Sequence, residues 1–509
     1  MKTVSFGSKQ TYKNLLLNII AFIVQFAISF YISPVIVGGV GASAYGFIGV
    51  ANDFVSYASI IATVFNSVAS RFIANSFYKG DYKKANSYFN SLIATNIVIS
   101  AALAATSILL IPLLDRILTI PVTLVLDVQI TFALVFASYI VSLLTLVFTT
   151  STFITNRTDI NGVRNIIQYI IRFALIVLFL NFVSVKIYWV ACATLIATVV
   201  VAFMNIRLTK RLTPELSIDI KKVKKKYVVE LAMSGSWMAL TSISTILLRG
   251  LDLTIANMMI GDYEMGILSI ARTMPNNITS IISVLAPLFT PAFIALYAKN
   301  KIEEIVRNVN ESIKTIAMIL FVPICGFIVF SYDFYVLWQD SLSQDEILLV
   351  TILSVVTVVQ AIFNSTTSTM AQLSVVVNKL KFPVFVSLGC GIFSIIAEIL
   401  LIRYTDLGLY GIVIPTTIVM VLRYVLFNSW YAGYCLKTSC IPFVLTTLKT
   451  WLSIPILIAF MALIRNIMPI NSWMDFLVDI IVCGFVGYTL MVLIYGRKVL
   501  LKIVKRIKR

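Results

Sequence analysis

Seven charged residues stand inside long apolar blocks: Asp53, Arg172, Arg249, Asp252, Arg272, Glu398 and Arg423. Each costs at least ~2.5–3.5 kcal/mol near the centre of a membrane-spanning helix, so such groups face a bundle interior or a water-filled cavity. Four are arginines and three are acids. A guanidinium fork holds two phosphate oxygens at once, so this balance suits a phosphate-bearing anion better than a cation. Arg164, Gln168 and Arg172 recur every four residues and form one polar stripe on a helix. The stripe reads as a cationic lining for an anionic headgroup, or as a snorkelling Arg164 with only Arg172 inside. Arg249 and Asp252, three apart, share a helix face and can neutralise each other. Glu398 and Arg423 lie nearer helix ends, where interface anchoring is the simpler role.

Two further features concern the backbone and hydroxyls. Pro275 followed by Asn276 and Asn277 interrupts an apolar run. A proline there frees a carbonyl and invites a kink that can flex during transport, or a static kink filled by the asparagines. The runs Thr149–Thr152 and Asn364–Thr369 suit sugar hydroxyls, though Ser and Thr also serve as routine helix–helix glue.

Much chemistry is excluded. The 509 residues contain no histidine, which removes zinc hydrolysis and Ser-His-Asp catalysis. No phosphate-cradling G-x-x-x-x-G-K-[ST] run occurs, so direct ATP hydrolysis is unsupported. The six cysteines are scattered without C-x-x-C spacing and read as small buried hydrophobes. No cofactor and no metal are expected.

The elements that must position these charges are transmembrane helices. Hydrophobic residues make up 60% of the chain and charged ones 12%, more apolar surface than one water-soluble core can hide. They arrive in blocks of about 20, long enough to cross ~30 Å of hydrocarbon, and without strand-like alternation. The blocks fall at about 13–37, 45–74, 88–114, 124–152, 160–183, 186–206, 228–260, 265–298, 311–335, 345–371, 382–402, 408–433, 444–466 and 472–495. The first is too long for a signal-peptide core. The fold expected is an all-α polytopic membrane protein of about 14 helices.

Charge orients them. A formal charge of +18 could suggest nucleic acid, but the lysines and arginines crowd alternate loops, including Lys79, Lys83, Lys84, Arg157, Lys210, Arg211, Lys221–Lys226, Lys299, Lys301, Lys379, Lys381, Lys437 and the tail Arg497–Arg509. The intervening loops hold only Arg116, Lys186, Arg403 and Arg465, alongside acids such as Asp115, Asp262, Glu264, Asp333, Asp340, Asp345 and Glu346. That asymmetry is the positive-inside pattern and puts both termini in the cytoplasm, with no role for nucleic acid. Shifting the sequence by 220 positions lays Gly41–Gly46 on Gly261–Gly266, Ala51 on Ala271, and Lys79–Lys84 on Lys299–Glu304. Six helices per repeat make the halves parallel. The expected organisation is an N-lobe of helices 1–6 (1–212), a basic cytoplasmic linker (213–227), a C-lobe of helices 7–12 (228–436), and helices 13–14 with a basic tail (437–509). Under this repeat Asp53 and Arg272 occupy nearly equivalent places, which suits either an outer gate or a fixed structural pair.

Six plus six plus two helices, Tyr45-Gly46 opening helix two, the Gly80-Asp81 loop, and Ala271-Arg-Thr-Met-Pro-Asn276 in helix eight resemble the MOP superfamily and, within it, Wzx-type polysaccharide exporters. The resemblance implies the 14-helix plan of lipid-II flippases, whose twelve-helix core MATE drug exporters share. It implies a flippase in the bacterial cytoplasmic membrane that moves undecaprenyl-diphosphate-linked oligosaccharide, by alternating access, from inner to outer leaflet. It also implies that helices 13–14 form a groove for the prenyl tail. The partners implied are the polyprenyl-diphosphate-linked glycan, membrane lipid, a polysaccharide polymerase and glycosyltransferases; the oligomeric state stays open, with a monomer the simplest expectation. On this reading Arg172, Arg249, Arg272, Gln168 and Arg164 contact substrate, Asp53, Asp252, Asn276 and Asn277 gate or couple ions, and Glu398 and Arg423 rank below them. Membrane potential or exchange for a cation at Asp53, Asp252 or Glu398 are both open as driving forces. A MATE-like small-molecule antiporter is the alternative, disfavoured by the two extra helices and the cationic interior. A membrane-embedded glycolipid enzyme is third, because outer loops are short and hold no nucleophile–base set.

Overall fold

The computed structural model describes residues 8–155 and 157–495; the basic tail counted above lies outside them. Fourteen helices are long and apolar enough to cross a membrane: α1 (Ser8–Val40), α2 (Ala42–Tyr78), α3 (Tyr82–Ile117), α4 (Val122–Ile154), α5 (Asp159–Phe182), α6 (Ile187–Leu212), α7 (Lys225–Arg249), α8 (Asp262–Ala298), α9 (Ile302–Trp338), α10 (Gln344–Val376), α11 (Lys381–Tyr404), α12 (Tyr410–Leu436), α13 (Ile441–Ile467) and α14 (Trp473–Tyr495). They match the expected blocks one for one, with ends shifted by up to nine residues, as at the start of α9, and by more only at α7. That block was expected to run to 260, but the helix stops at Arg249 and a short helix, Asp252–Met259, follows Gly250–Leu251. Helices α2, α8 and α9 run 37 residues, about 55 Å at 1.5 Å per residue, and so exceed the hydrocarbon.

The chain forms two compact units, Met1–Gly266 and Ile267–Arg509. Neighbour relations recur at an offset of six helices: α2–α3, α3–α4, α4–α6 and α5–α6 in the first unit have counterparts α8–α9, α9–α10, α10–α12 and α11–α12. The helices outside the repeat, α13 and α14, pack along α9.

The unit boundary differs from the expected lobe boundary at the linker. Helix α7 belongs with the first unit because it lies tightly along α2: a Cβ on Gly235 would come within 1.8 Å of the Val64 carbonyl oxygen. The repeat-equivalent glycines also meet, since a Cβ on Gly46 would stand 3.0 Å from the backbone of Gly266. Small residues permit such backbone approach where lipid supplies no hydrophobic drive between helices.

The basic linker is held to α3. The Asn86 side-chain nitrogen donates to the Glu215 carbonyl (2.7 Å) and its oxygen accepts from the Ser217 amide (2.8 Å). One turn on, Asn90 donates to the Ser217 carbonyl (2.8 Å) and accepts from the Asp219 amide (2.7 Å). Ser91 accepts from the Lys224 amide at 3.0 Å. Backbone groups of the linker thereby find side-chain partners on α3.

Candidate functional site

Helix α2 borders two cavities, one toward each end, and a polar stripe winds around it between them. Asn52, Ser56, Ser59, Thr63, Ser67, Arg71 and Asn75 follow helical spacing, and Asn52, Ser56, Ser67, Arg71 and Asn75 are exposed. Their hydroxyls spend their hydrogens locally, Ser56 on the Asn52 carbonyl (3.0 Å), Ser59 on the Ser56 carbonyl (2.7 Å) and Thr63 on the Ser59 carbonyl (2.9 Å). That leaves oxygen lone pairs facing outward. Helix α7 continues the surface with exposed Ser234, Thr241 and Thr245.

The first cavity, about 560 Å³, lies toward the lysine-rich end of α2 between Arg71, Phe72, Asn75 and Tyr78, Phe153 of α4 and Ser234 of α7. Among the described residues Arg71 makes no ion pair and no hydrogen bond. Tyr78 is committed, its hydroxyl donating to the Ile154 carbonyl. The Arg71 guanidinium therefore borders open volume without a carboxylate paired to it among the described residues.

The second cavity, about 200 Å³, lies nearer the other end of α2 and is walled by Asn52, Thr131, Ser138, Tyr139, Arg172 and Thr194, with Ile48, Val55, Val135, Val190 and Ala191. Thr131, Ser138 and Thr194 each donate to a carbonyl of their own helix. Arg172 is half-buried, its Nε enclosed with no acceptor, and among the described residues it has no ion-pair partner. From Arg71 to Asn52 is nineteen residues of α2, about 28 Å along the axis.

The expected stripe on α5 faces α6. Arg164 is 5% exposed, so it does not snorkel; it donates to the side-chain oxygens of Asn205 and of Asn161 (2.8 Å). Gln168 reaches Thr198 at 3.3 Å, and Arg172 opens on the second cavity.

The remaining expected residues lie on α2, α7, α8, α11, α12 and the short helix after α7. Arg249 ends α7 and Asp252 begins the next short helix, so they do not share one continuous helix face; Gly250 breaks it, and Tyr57 of α2 donates to the Gly250 carbonyl. Asp53 lies in the first unit and Arg272 in the second. Helix α8 runs unbroken through Pro275 from Asp262 to Leu285. The carbonyl that Pro275 leaves unbonded, Ala271, accepts from Ser354 of α10 at 2.7 Å, so a serine rather than an asparagine fills the gap. Asn277 instead donates to the Thr273 carbonyl (3.0 Å), and Asn276 is exposed.

Glu398 is 1% exposed and accepts from Ser394 (2.9 Å) and Thr416 (2.7 Å), placing it in the α11–α12 seam and not at an interface. Arg423 opens a π-helical turn, Arg423–Asn428, its guanidinium 5.9 Å from the Tyr424 ring. The hydroxyl runs are mostly interior: Thr150, Ser151, Thr152, Ser365, Thr366, Thr367 and Thr369 are all buried, which fits helix–helix contact and closes them to sugars. Outside the membrane-spanning segments, Lys186 donates to Asp127 at 2.8 Å, and that bond raises the lysine above its ordinary pKa.

Sequence inspection missed Arg71, which sits eight residues before Lys79 and blends with the basic loop. The seven-residue polar stripe on α2 was the available signal.

Comparison with known proteins gives this geometry a family. The profile described as "Polysaccharide biosynthesis protein" matches residues 11–297. The chain is 25% identical over 422 residues to "Uncharacterized membrane protein EpsK" of Bacillus subtilis (strain 168), covering 82% of each. It resembles the structure titled "Lipid II flippase MurJ, inward closed conformation" with TM-score 0.70 and 14% identity, over 96% of this chain and all of that one. An inward-facing multidrug resistance MATE family transporter of the MOP superfamily matches with TM-score 0.65 and 15% identity, over 81% and 96%. At these identities the structural likenesses speak for the fold, which is that of MOP superfamily transporters.

Proposed function

The chain belongs to the polysaccharide biosynthesis protein family and has the fold of MOP superfamily transporters, and from that premise we propose that it flips a polyprenyl-diphosphate-linked oligosaccharide from the cytoplasmic to the outer leaflet of a bacterial cytoplasmic membrane. The observation that carries this reading is the pair of arginines without carboxylate partners among the described residues, Arg71 and Arg172, each opening on a cavity beside α2. An unbalanced guanidinium in a membrane protein is costly unless a ligand supplies the anion. A diphosphate supplies two phosphate groups for the fork, and the hydroxyl-lined face between offers acceptors to sugar donors.

The lysine-rich ends of the helices support a cytoplasmic location for the Arg71 cavity, where the charged lipid would be made. Arg172, in the cavity that meets α2 at Asn52 about 28 Å from Arg71 along that helix, then receives the diphosphate nearer the outer face. A drug-cation antiporter of the same fold would need carboxylates where these arginines stand.

The test is export of surface polysaccharide in cells whose only copy is Arg71→Gln, Arg172→Gln or the double variant, with membrane insertion measured in parallel. Each hydrogen bond to a charged group is worth ~1.5–3 kcal/mol, so each single variant should lose roughly tenfold or more in rate at limiting substrate. Full export by well-inserted double variant contradicts the proposal.

A further inference from the structure

We propose that Asp479 of α14 is a proton-binding site, and that its protonation state controls how α13 and α14 pack on α9. Helix α14 buries one face, Phe476, Asp479, Cys483, Gly487 and Met491, at spacings of three or four residues. Asp479 sits in that face among apolar and aromatic neighbours. It is 1% exposed, and among the described residues neither carboxyl oxygen has a hydrogen-bond partner. Phe476 beside it packs edge-to-face on Phe330 of α9, and Gly487 lies against Val322 and Met461.

The groups facing it do not supply a cation. Its own helix offers Asp475, which is occupied by the Asn471 amide (3.1 Å) and the Ser472 hydroxyl (2.9 Å), and the thiol of Cys483. Helix α9 offers Asp333, and α13 offers Arg465, which is already paired with Asp333 at 2.7 Å. The other cations on these three helices, Arg307, Lys314 and Lys449, are four or more turns away along their helices. A carboxylate enclosed without cation or donor is accommodated by taking a proton on one oxygen.

The proton's release has a structural consequence. A charged Asp479 needs a counter-ion, and Arg465 is the cation at this end of the group. Its transfer from Asp333 would swing α13 relative to α9, while failure to transfer would drive α14 off its packing face. The chemistry is one O–H bond formed or broken at the Asp479 carboxyl, with the proton exchanged with water at the adjacent end of α14. That the motion serves transport rests on the flippase reading; that Asp479 binds a proton does not.

Infrared difference spectra of the full-length protein in phosphatidylglycerol/phosphatidylcholine vesicles, recorded across pH, test the site. A carboxylic C=O band should be present at neutral pH, fall as pH rises, vanish in Asp479→Asn and persist at a shifted frequency in Asp479→Glu. A spectrum identical in wild type and Asp479→Asn overturns the proposal, as does a band that responds to sodium at fixed pH rather than to protons. If Asp479→Asn does not insert, the Asp479→Glu shift alone decides. In cells, Asp479→Asn should abolish the dependence of export on external pH. Export of unchanged pH dependence, with the band lost, overturns the coupling to transport and leaves the site. A chain that moves no diphosphate-linked glycan but shows the band contradicts the flippase reading alone.

Discussion

Gly235→Ala places a methyl group where α7 crosses α2. The added Cβ would lie 1.8 Å from the Val64 carbonyl oxygen and 3.1 Å from the Ser67 hydroxyl. Carbon and carbonyl oxygen close at about 3.3 Å, so the helices must part by about 1.5 Å at the crossing. The obstacle is backbone, which cannot rotate away as a side chain would. Overpacking of this kind costs ~1–3 kcal/mol, and this site belongs at the upper end. Ser234, the next residue, walls the Arg71 cavity, so the same displacement widens the proposed binding site. Thermal unfolding in detergent should show a lower midpoint for Gly235→Ala, and export should fall with it. Gly484→Ala is the matched control, because a Cβ there meets nothing within 4 Å and removes a helical glycine. It should be neutral or slightly stabilising. Equal midpoints for Gly235→Ala and wild type would refute the close α2–α7 crossing and the placement of α7 in the first unit.

Three other outcomes follow from particular contacts. Asn90→Ala should loosen the linker, since it strands the Ser217 carbonyl and the Asp219 amide. Each stranded group costs ~1–3 kcal/mol if it stays dry, and faster amide exchange at 215–219 reads it out. Ser354→Ala leaves the Ala271 carbonyl without the donor that Pro275 denies it, so the thermal midpoint should drop while Asn277→Ala, which leaves Ser354 in place, changes it less. The Lys186–Asp127 pair contributes at most ~1 kcal/mol, because the lysine is 41% exposed and screened by solvent. Its folded pKa is raised, so that contribution is full below the ordinary lysine range and is lost as pH climbs through the raised value. The midpoints of wild type and Lys186→Gln should therefore differ at neutral pH and converge in strong alkali.

How much of this was legible in sequence varies by level. Hydropathy fixes helix number because each block must span the same hydrocarbon thickness, and the 220-residue offset showed the repeat because Gly46 and Gly266 are both needed at a close backbone contact. Hydropathy carries no information on which helix a span packs against, so the attachment of α7 to α2 was invisible. Gly250 inside an apolar run is tolerated by many helices, which is why the Arg249–Asp252 pair read as one face. Glu398 looked like an anchor because Ser394 and Thr416, its donors, are identified as partners only by the fold. Asp479 drew no attention because a lone acid near a helix start reads as a cap, a role that Asp475 fills.

The central claim is that Arg71 and Arg172 hold the diphosphate of a lipid-linked glycan. Its most direct measurement is equilibrium binding of undecaprenyl diphosphate to the purified full-length protein by native mass spectrometry, against undecaprenyl alcohol as the uncharged control. The diphosphate should bind and the alcohol bind far more weakly, with Arg71→Gln and Arg172→Gln each weakening the diphosphate by roughly 10- to 100-fold, as loss of one or two charge-assisted bonds requires. Equal binding of diphosphate and alcohol, or unchanged diphosphate affinity in the double variant, would contradict it.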